Sequence, residues 1–189
     1  MRAGALVELH ATERAPGSVE EEEMFRKMLV PLDGSEMAEA VLPYVEDIAK
    51  RYSAEVILLR VVARPQDRWS GTVFQPPLAV PGSSEDVVTD PHPVYREQEM
   101  ESLRGEVERT LSVVRKRLRE AGQSARIVVL FGRPADRIVE FATKEEVDLI
   151  AISTHGRTGL GRWAFGSVAK RIMRATAIPV LLIRPSGKA

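Results

Sequence analysis

Apolar residues fall along this chain in two alternating rhythms. Short continuous runs recur at Lys27-Met28-Leu29-Val30-Pro31-Leu32, Val56 to Val62, Ile127 to Phe131, Val147 to Ile152 and Val180 to Ile183. Runs without polar alternation predict strands buried on both faces. Between them the apolar spacing lengthens to three and four residues. Ala38, Val41, Leu42, Val45, Ile48 and Ala49 predict one amphipathic helix over 36–52, with Ser35 as its N-cap and Pro43 as a point of kinking. Leu103, Val107, Leu111, Val114 and Leu118 predict a long helix from Tyr95 to Ala121, stopped by Gly122. Two further helices are predicted, over 135–145 after Pro134 and from Val168 to Thr176. Strands alternating with helices predict an α/β domain whose parallel sheet is covered on both faces. In such sheets ligands sit at the carboxyl ends of the strands, near the point where strand order reverses.

Two stretches fall outside the rhythm. Residues 1–24 show no periodicity and close on the acidic run Glu20 to Glu23. They are expected to form a disordered, solvated extension, with Met24 a second candidate start of translation. Residues 64–93 hold Pro65, Pro76, Pro77, Pro81, Pro91 and Pro93, which forbid a continuous helix or a central strand. They are expected to form a variable loop, the alternative being a lid over the crevice with Trp69 and Phe74 as contacts. The domain itself is expected to span 25–186.

Composition removes several classes of function. The 189 residues carry 27 basic and 27 acidic side chains, and this balance argues against a general nucleic-acid binder. With no cysteine, disulfides, thiolate metal sites and cysteine catalysis are excluded. His10, His92 and His155 are far apart and form no zinc-binding pair. No apolar run reaches the length of a membrane span, and residues 1–24 lack the apolar core of a signal peptide. A soluble, cytoplasmic protein without nucleic-acid or membrane partners is the expectation.

The candidate chemistry lies in the run from Ser153 to Val168, where Gly156, Gly159, Gly161 and Gly166 connect a buried strand to a helix. Glycines let backbone N–H groups approach an anion closely, and a helix N-terminus adds unpaired donors. Arg157 and Arg162 supply charge of the matching sign. Gly161-x4-Gly166-Ser167 has the glycine spacing of a P-loop but lacks its lysine, which argues against a P-loop hydrolase. Gly159-x-Gly161-x-x-Ala164 matches a dinucleotide fingerprint in letters, yet no second βαβ half remains after it. The simpler reading of Lys170, Arg171 and Arg174 is a solvated basic face. His155 reads as a loop hydrogen-bonder, and Trp163 and Phe165 as packing anchors.

A third comparison fits better. Gly156, nine residues, then Gly166-Ser167 resembles the nucleotide loop of the universal stress protein family, Gly-x2-Gly-x9-Gly-Ser/Thr. Val30-Pro31-Leu32-Asp33-Gly34-Ser35, Leu58-Leu59-Arg60-Val61-Val62 and Ile178 to Ile183 resemble further segments of that family, in the same order. The resemblance implies a five-stranded parallel sheet of order 3-2-1-4-5 in a Rossmann-like domain, and a homodimer formed through the last strand, Val180 to Ile183. It implies adenosine beside Pro31 and Asp33, with Asp33 near the ribose, and adenine against Val61; charge repulsion from phosphate separately makes Asp33 an acceptor for ribose hydroxyls or a partner for a phosphate-bound Mg²⁺. Ile152, Ser153, Gly156, Gly166, Ser167 and Val168 would surround the phosphates, with Arg157 beside them. ATP, with Mg²⁺, is the implied ligand, and a nucleotide-dependent regulatory switch acting on a protein partner the implied role. Slow hydrolysis or autophosphorylation belongs to some members of the family. The alternative is a dimeric interaction module of the same fold that binds no nucleotide. Ser153 replaces the first glycine of the pattern: it costs energy if the backbone there needs positive φ, and fits if only a small side chain is needed.

Overall fold

The computed structural model of the chain describes residues 24–63, 93–154 and 166–185. Residues 1–23 of the N-terminal extension, the proline-rich stretch up to residue 92, the glycine-loop residues 155–165 and residues 186–189 lie outside them, as do Trp69 and Phe74.

Five strands form one parallel sheet: β1 (Lys27–Pro31), β2 (Glu55–Val62), β3 (Ala125–Phe131), β4 (Leu149–Ser153) and β5 (Val180–Ile183). Their spatial order is β3-β2-β1-β4-β5, as the family resemblance implied. Helices α1 (Glu36–Glu39), α2 (Leu42–Tyr52), α3 (Pro93–Glu120), α4 (Pro134–Lys144) and α5 (Ser167–Ala175) fill the crossovers. The proline-rich stretch therefore gives its last residue, Pro93, to a helix.

Strand alternation sorts the core into two layers. Met28, Val30, Val56, Leu58, Leu149 and Ala151 pack with α1, α2 and α3. Leu29, Ile57, Leu59, Ile150 and Ile152 pack with α4 and α5 on the other face. Both faces of the central strands are buried, which is why their sequence shows no polar alternation.

The helix expected over 36–52 is two helices. The ring of a helical Pro43 would clash with the carbonyl four residues back, that of Glu39, and Pro43 has no N–H to donate. The chain ends α1 at Glu39, turns at Ala40 and Val41, and restarts with Pro43 in the first turn of α2, where proline is accommodated. Gly122 does stop α3: its φ is +83°, and the Gln123 N–H closes on the Leu118 carbonyl at 3.0 Å.

The sheet is pinned at its amino end. Asp148 Oδ2 accepts the backbone N–H groups of Arg26 and Lys27, both at 2.8 Å. Arg126 spans from Glu55 Oε1 at 2.9 Å to Glu145 Oε2 at 2.8 Å, tying β3 to β2 and to the end of α4. The carboxyl end is built differently. The β1–β2 ladder runs to Pro31↔Leu59 and the β4–β5 ladder to Ser153↔Ile183, but β1 and β4 pair only at Met28↔Leu149 and Leu29↔Ile150. Beyond that point the two central strands part.

Candidate functional site

A cavity of about 300 Å³ occupies the place where β1 and β4 separate. This is also the topological switch point, because the chain leaves β1 toward β2 on one side and enters β4 on the other. Its walls come from the turn after β1, the end of β2, the end of β4 and the first turns of α4 and α5.

Every predicted site residue within the described segments lines this cavity: Pro31, Asp33, Val61, Ile152, Ser153, Gly166, Ser167 and Val168. Gly156 and Arg157 lie outside the described residues. The lining also includes residues that the sequence reading did not single out, among them Leu59, Pro134, Ile138, Thr154 and Ala169. Leu59 had a signal, since it stands two positions before Val61 and so shares its face of β2. Pro134 and Ile138 had none, because nothing local says that the start of α4 borders the cavity.

One wall is apolar. Leu59, Val61, Ile138 and Ile152 present aliphatic surface suited to a flat heterocycle or another apolar group. Asp33 stands at the rim on the β1 side. Its Oδ1 accepts the Ser35 N–H at 3.0 Å and the Ser35 hydroxyl at 2.6 Å. The Ser35 hydroxyl oxygen in turn accepts the Ala38 N–H at 3.1 Å and caps α1. Asp33 thus orders its own turn and lines the cavity as well.

The opposite end is the start of α5. Ser167 is the first residue of that helix and not its cap; Gly166 holds the cap position, with no side chain bonded across it. The first backbone N–H groups of a helix have no partner within it, and Ser167, Val168 and Ala169 all border the cavity. Together they make an end of positive potential suited to an anion.

The mouth of the glycine loop is tightly drawn. Gly166 N–H donates to the Thr154 carbonyl at 2.7 Å. A Cβ on Gly166 would lie 3.1 Å from that same oxygen. Gly166 has φ −55°, so its conformation is open to any residue; the close approach of backbone is what calls for glycine. Ser153 closes β4 in register with Ile183 and is absent from the positive-φ residues. It is also buried, at 5% exposure. Of the two readings of this position, the small buried side chain holds and the strained backbone does not.

Lys170, Arg171 and Arg174 are exposed on α5, as expected of a solvated face, and Arg171 pairs with Asp136 of α4 at 2.7 Å. Among the described residues no cluster of three or more His, Cys, Asp or Glu side chains is arranged to hold a metal ion, and no helix is long and apolar enough to cross a membrane.

Comparison with known proteins agrees with this architecture. A sequence model described as the universal stress protein family matches residues 24–184. Universal stress protein MJ0531 of Methanocaldococcus jannaschii is 32% identical over 168 residues, covering 88% of this chain and 86% of the relative. The solved structure of MJ0577 from the same organism superposes with a TM-score of 0.69 at 25% identity, covering 87% of this chain and 99% of that one. A universal stress protein from Archaeoglobus fulgidus, solved in complex with dAMP, superposes with a TM-score of 0.55 at 20% identity, covering 85% of this chain and 98% of that one.

Proposed function

This chain belongs to the universal stress protein family, and from that premise we propose that it is an adenine-nucleotide-binding regulatory protein. ATP is the proposed physiological ligand, taken up with Mg²⁺ on its phosphates. The observation that carries this reading is the parting of β1 and β4, which gathers an apolar wall, one carboxylate and an uncapped helix start around one cavity.

Each part suits one part of the ligand. Val61 and Leu59, with Ile138 opposite, take the adenine. Asp33 receives ribose hydroxyls, because a carboxylate set directly against phosphate would be repelled. The N–H groups at the start of α5 receive phosphate, and the glycine loop, Gly156 and Arg157 included, completes the anion site. The dAMP-bound relative supports an adenine nucleotide as the class of ligand. The role is binding and switching in stress response, within the cytoplasm.

The proposed protein is also a homodimer through β5. That strand is the outer edge of the sheet, and Val180, Leu181, Leu182 and Ile183 are each only half-buried. Pairing with a second copy would cover this apolar edge.

Calorimetry with ATP and ADP on nucleotide-free, refolded protein tests the site. We expect micromolar ATP binding that is lost in Gly166→Val, whose branched side chain meets the Thr154 carbonyl. Absence of binding at millimolar ATP, or unchanged affinity in the variant, overturns the assignment. A monomer by light scattering at high protein concentration overturns the dimer.

A further inference from the structure

Arg60 is the one charged side chain in the apolar run Val56–Val62 of the inner strand β2. Leu59 and Val61 on either side of it line the cavity, so strand alternation sends Arg60 to the opposite face of the sheet. It is half-buried there, where a cation needs polar partners. One partner is the turn after β1: Arg60 Nη1 donates to the Leu32 carbonyl at 3.1 Å. The same guanidinium lies beside Gly34, in the space a side chain there would take. A Cβ at that position would lie 2.9 Å from Nη1 and 3.3 Å from Nη2, and Gly34 has φ +77°. Leu32 and Gly34 are the two neighbours of Asp33.

We infer that Arg60 is a positioning residue: from behind the sheet it holds both flanks of Asp33 and thereby sets the carboxylate at the rim of the cavity. Two constraints meet at Asp33. The guanidinium bonds the carbonyl before it and lies against the glycine after it, and the hydrogen bonds to Ser35 fix its side chain. A glycine with positive φ is the freest residue of such a turn, and the bond to the Leu32 carbonyl anchors the chain two residues before it. The carboxylate is therefore set before any ligand arrives, so less ordering is needed on binding. The inference rests on the proposed contact between Asp33 and ribose.

The test uses the full chain with Arg60→Met, which keeps the apolar stem, Arg60→Lys, which keeps the charge, and Asp33→Ala as reference. Calorimetry compares ATP, 2′-deoxy-ATP, 3′-deoxy-ATP and inorganic triphosphate. Hydrogen exchange of the ligand-free proteins follows the Ser35 and Ala38 amides. Wild type should prefer ATP over the analogue lacking the hydroxyl that Asp33 receives, and Asp33→Ala should erase that preference. Arg60→Met should cut the preference by about fivefold or more, as loss of one charge-assisted hydrogen bond allows. Its affinity for inorganic triphosphate should stay at the wild-type value, its Ser35 and Ala38 amides should exchange faster, and Arg60→Lys should recover part of both effects. A lowered melting temperature with the ribose preference intact would make Arg60 merely structural and overturn the inference. Unchanged amide exchange would overturn it too. If wild type binds no nucleotide, or Asp33→Ala keeps the preference, the ribose reading is what fails, and amide exchange still decides whether Arg60 holds the turn.

Discussion

Ser153 ends β4 opposite Ile183, buried and without positive φ. A glycine there would gain nothing from its freedom and would lose more entropy on folding. Ser153→Gly should therefore lower stability by about 0.5–1 kcal/mol and leave nucleotide affinity within about twofold. Urea denaturation and calorimetry check the two halves; a large gain in affinity would show that the hydroxyl obstructs the site. Gly166 is the reverse case. Its dihedrals suit any residue, but an added Cβ would stand only 3.1 Å from the Thr154 carbonyl oxygen, closer than ordinary contact. Asp33 combines two roles, since the carboxylate that makes the turn also borders the cavity. Its environment could not be read locally, because Arg60 comes from a strand beginning more than twenty residues later.

At the scale of the element, strand and helix types were legible from spacing, and their ends less so. Pro43 pointed to a kink, and the outcome is a full break, because the prohibition on proline falls on the carbonyl of Glu39 as well as on its own N–H. The C-cap of α2 offers a test. Ser53 has φ 52°, the left-handed region, and its N–H bonds to the Ala49 carbonyl. Glycine takes this conformation without the Cβ penalty, offset in part by its freer unfolded chain. Ser53→Gly should raise stability by about 0.5–1 kcal/mol, visible as a rise in melting temperature. No change, or a fall, would mean that the serine side chain stabilises the cap by more than its conformation costs. The first turn of α5 shows a limit of motif reading. Serine is a favoured N-cap residue, but Gly166 rather than Ser167 takes that position, and the helix start faces the cavity uncapped by any side chain.

At the scale of the molecule, the sheet separates two cores that share a backbone and little else. Leu58 is fully buried among α1, α2 and α3, while the apolar wall of the cavity belongs to the α4 and α5 side. Leu58→Ala should cost about 2–5 kcal/mol in urea denaturation. At temperatures where the variant stays folded, its ATP affinity should match wild type within about twofold, because Leu58 faces away from the cavity into the other core layer. A large loss of affinity in folded protein would show that the two layers are coupled.

The α/β class and the identity of each strand were settled by the sequence alone. A buried strand must be apolar on both faces and an amphipathic helix on one, and these periods are local properties of the chain. Through its likeness to a family, the sequence also pointed to Pro31, Asp33, Val61, Ile152, Ser153, Gly166, Ser167 and Val168, which the fold brings to one cavity. Only the tertiary structure decided where β1 and β4 stop pairing, that the start of α4 walls the cavity, and that Arg60 braces the turn carrying Asp33. Those features depend on which strands become neighbours across long crossovers. Contacts between residues so far apart in sequence leave no period in the chain, and they arise only when the sheet has formed.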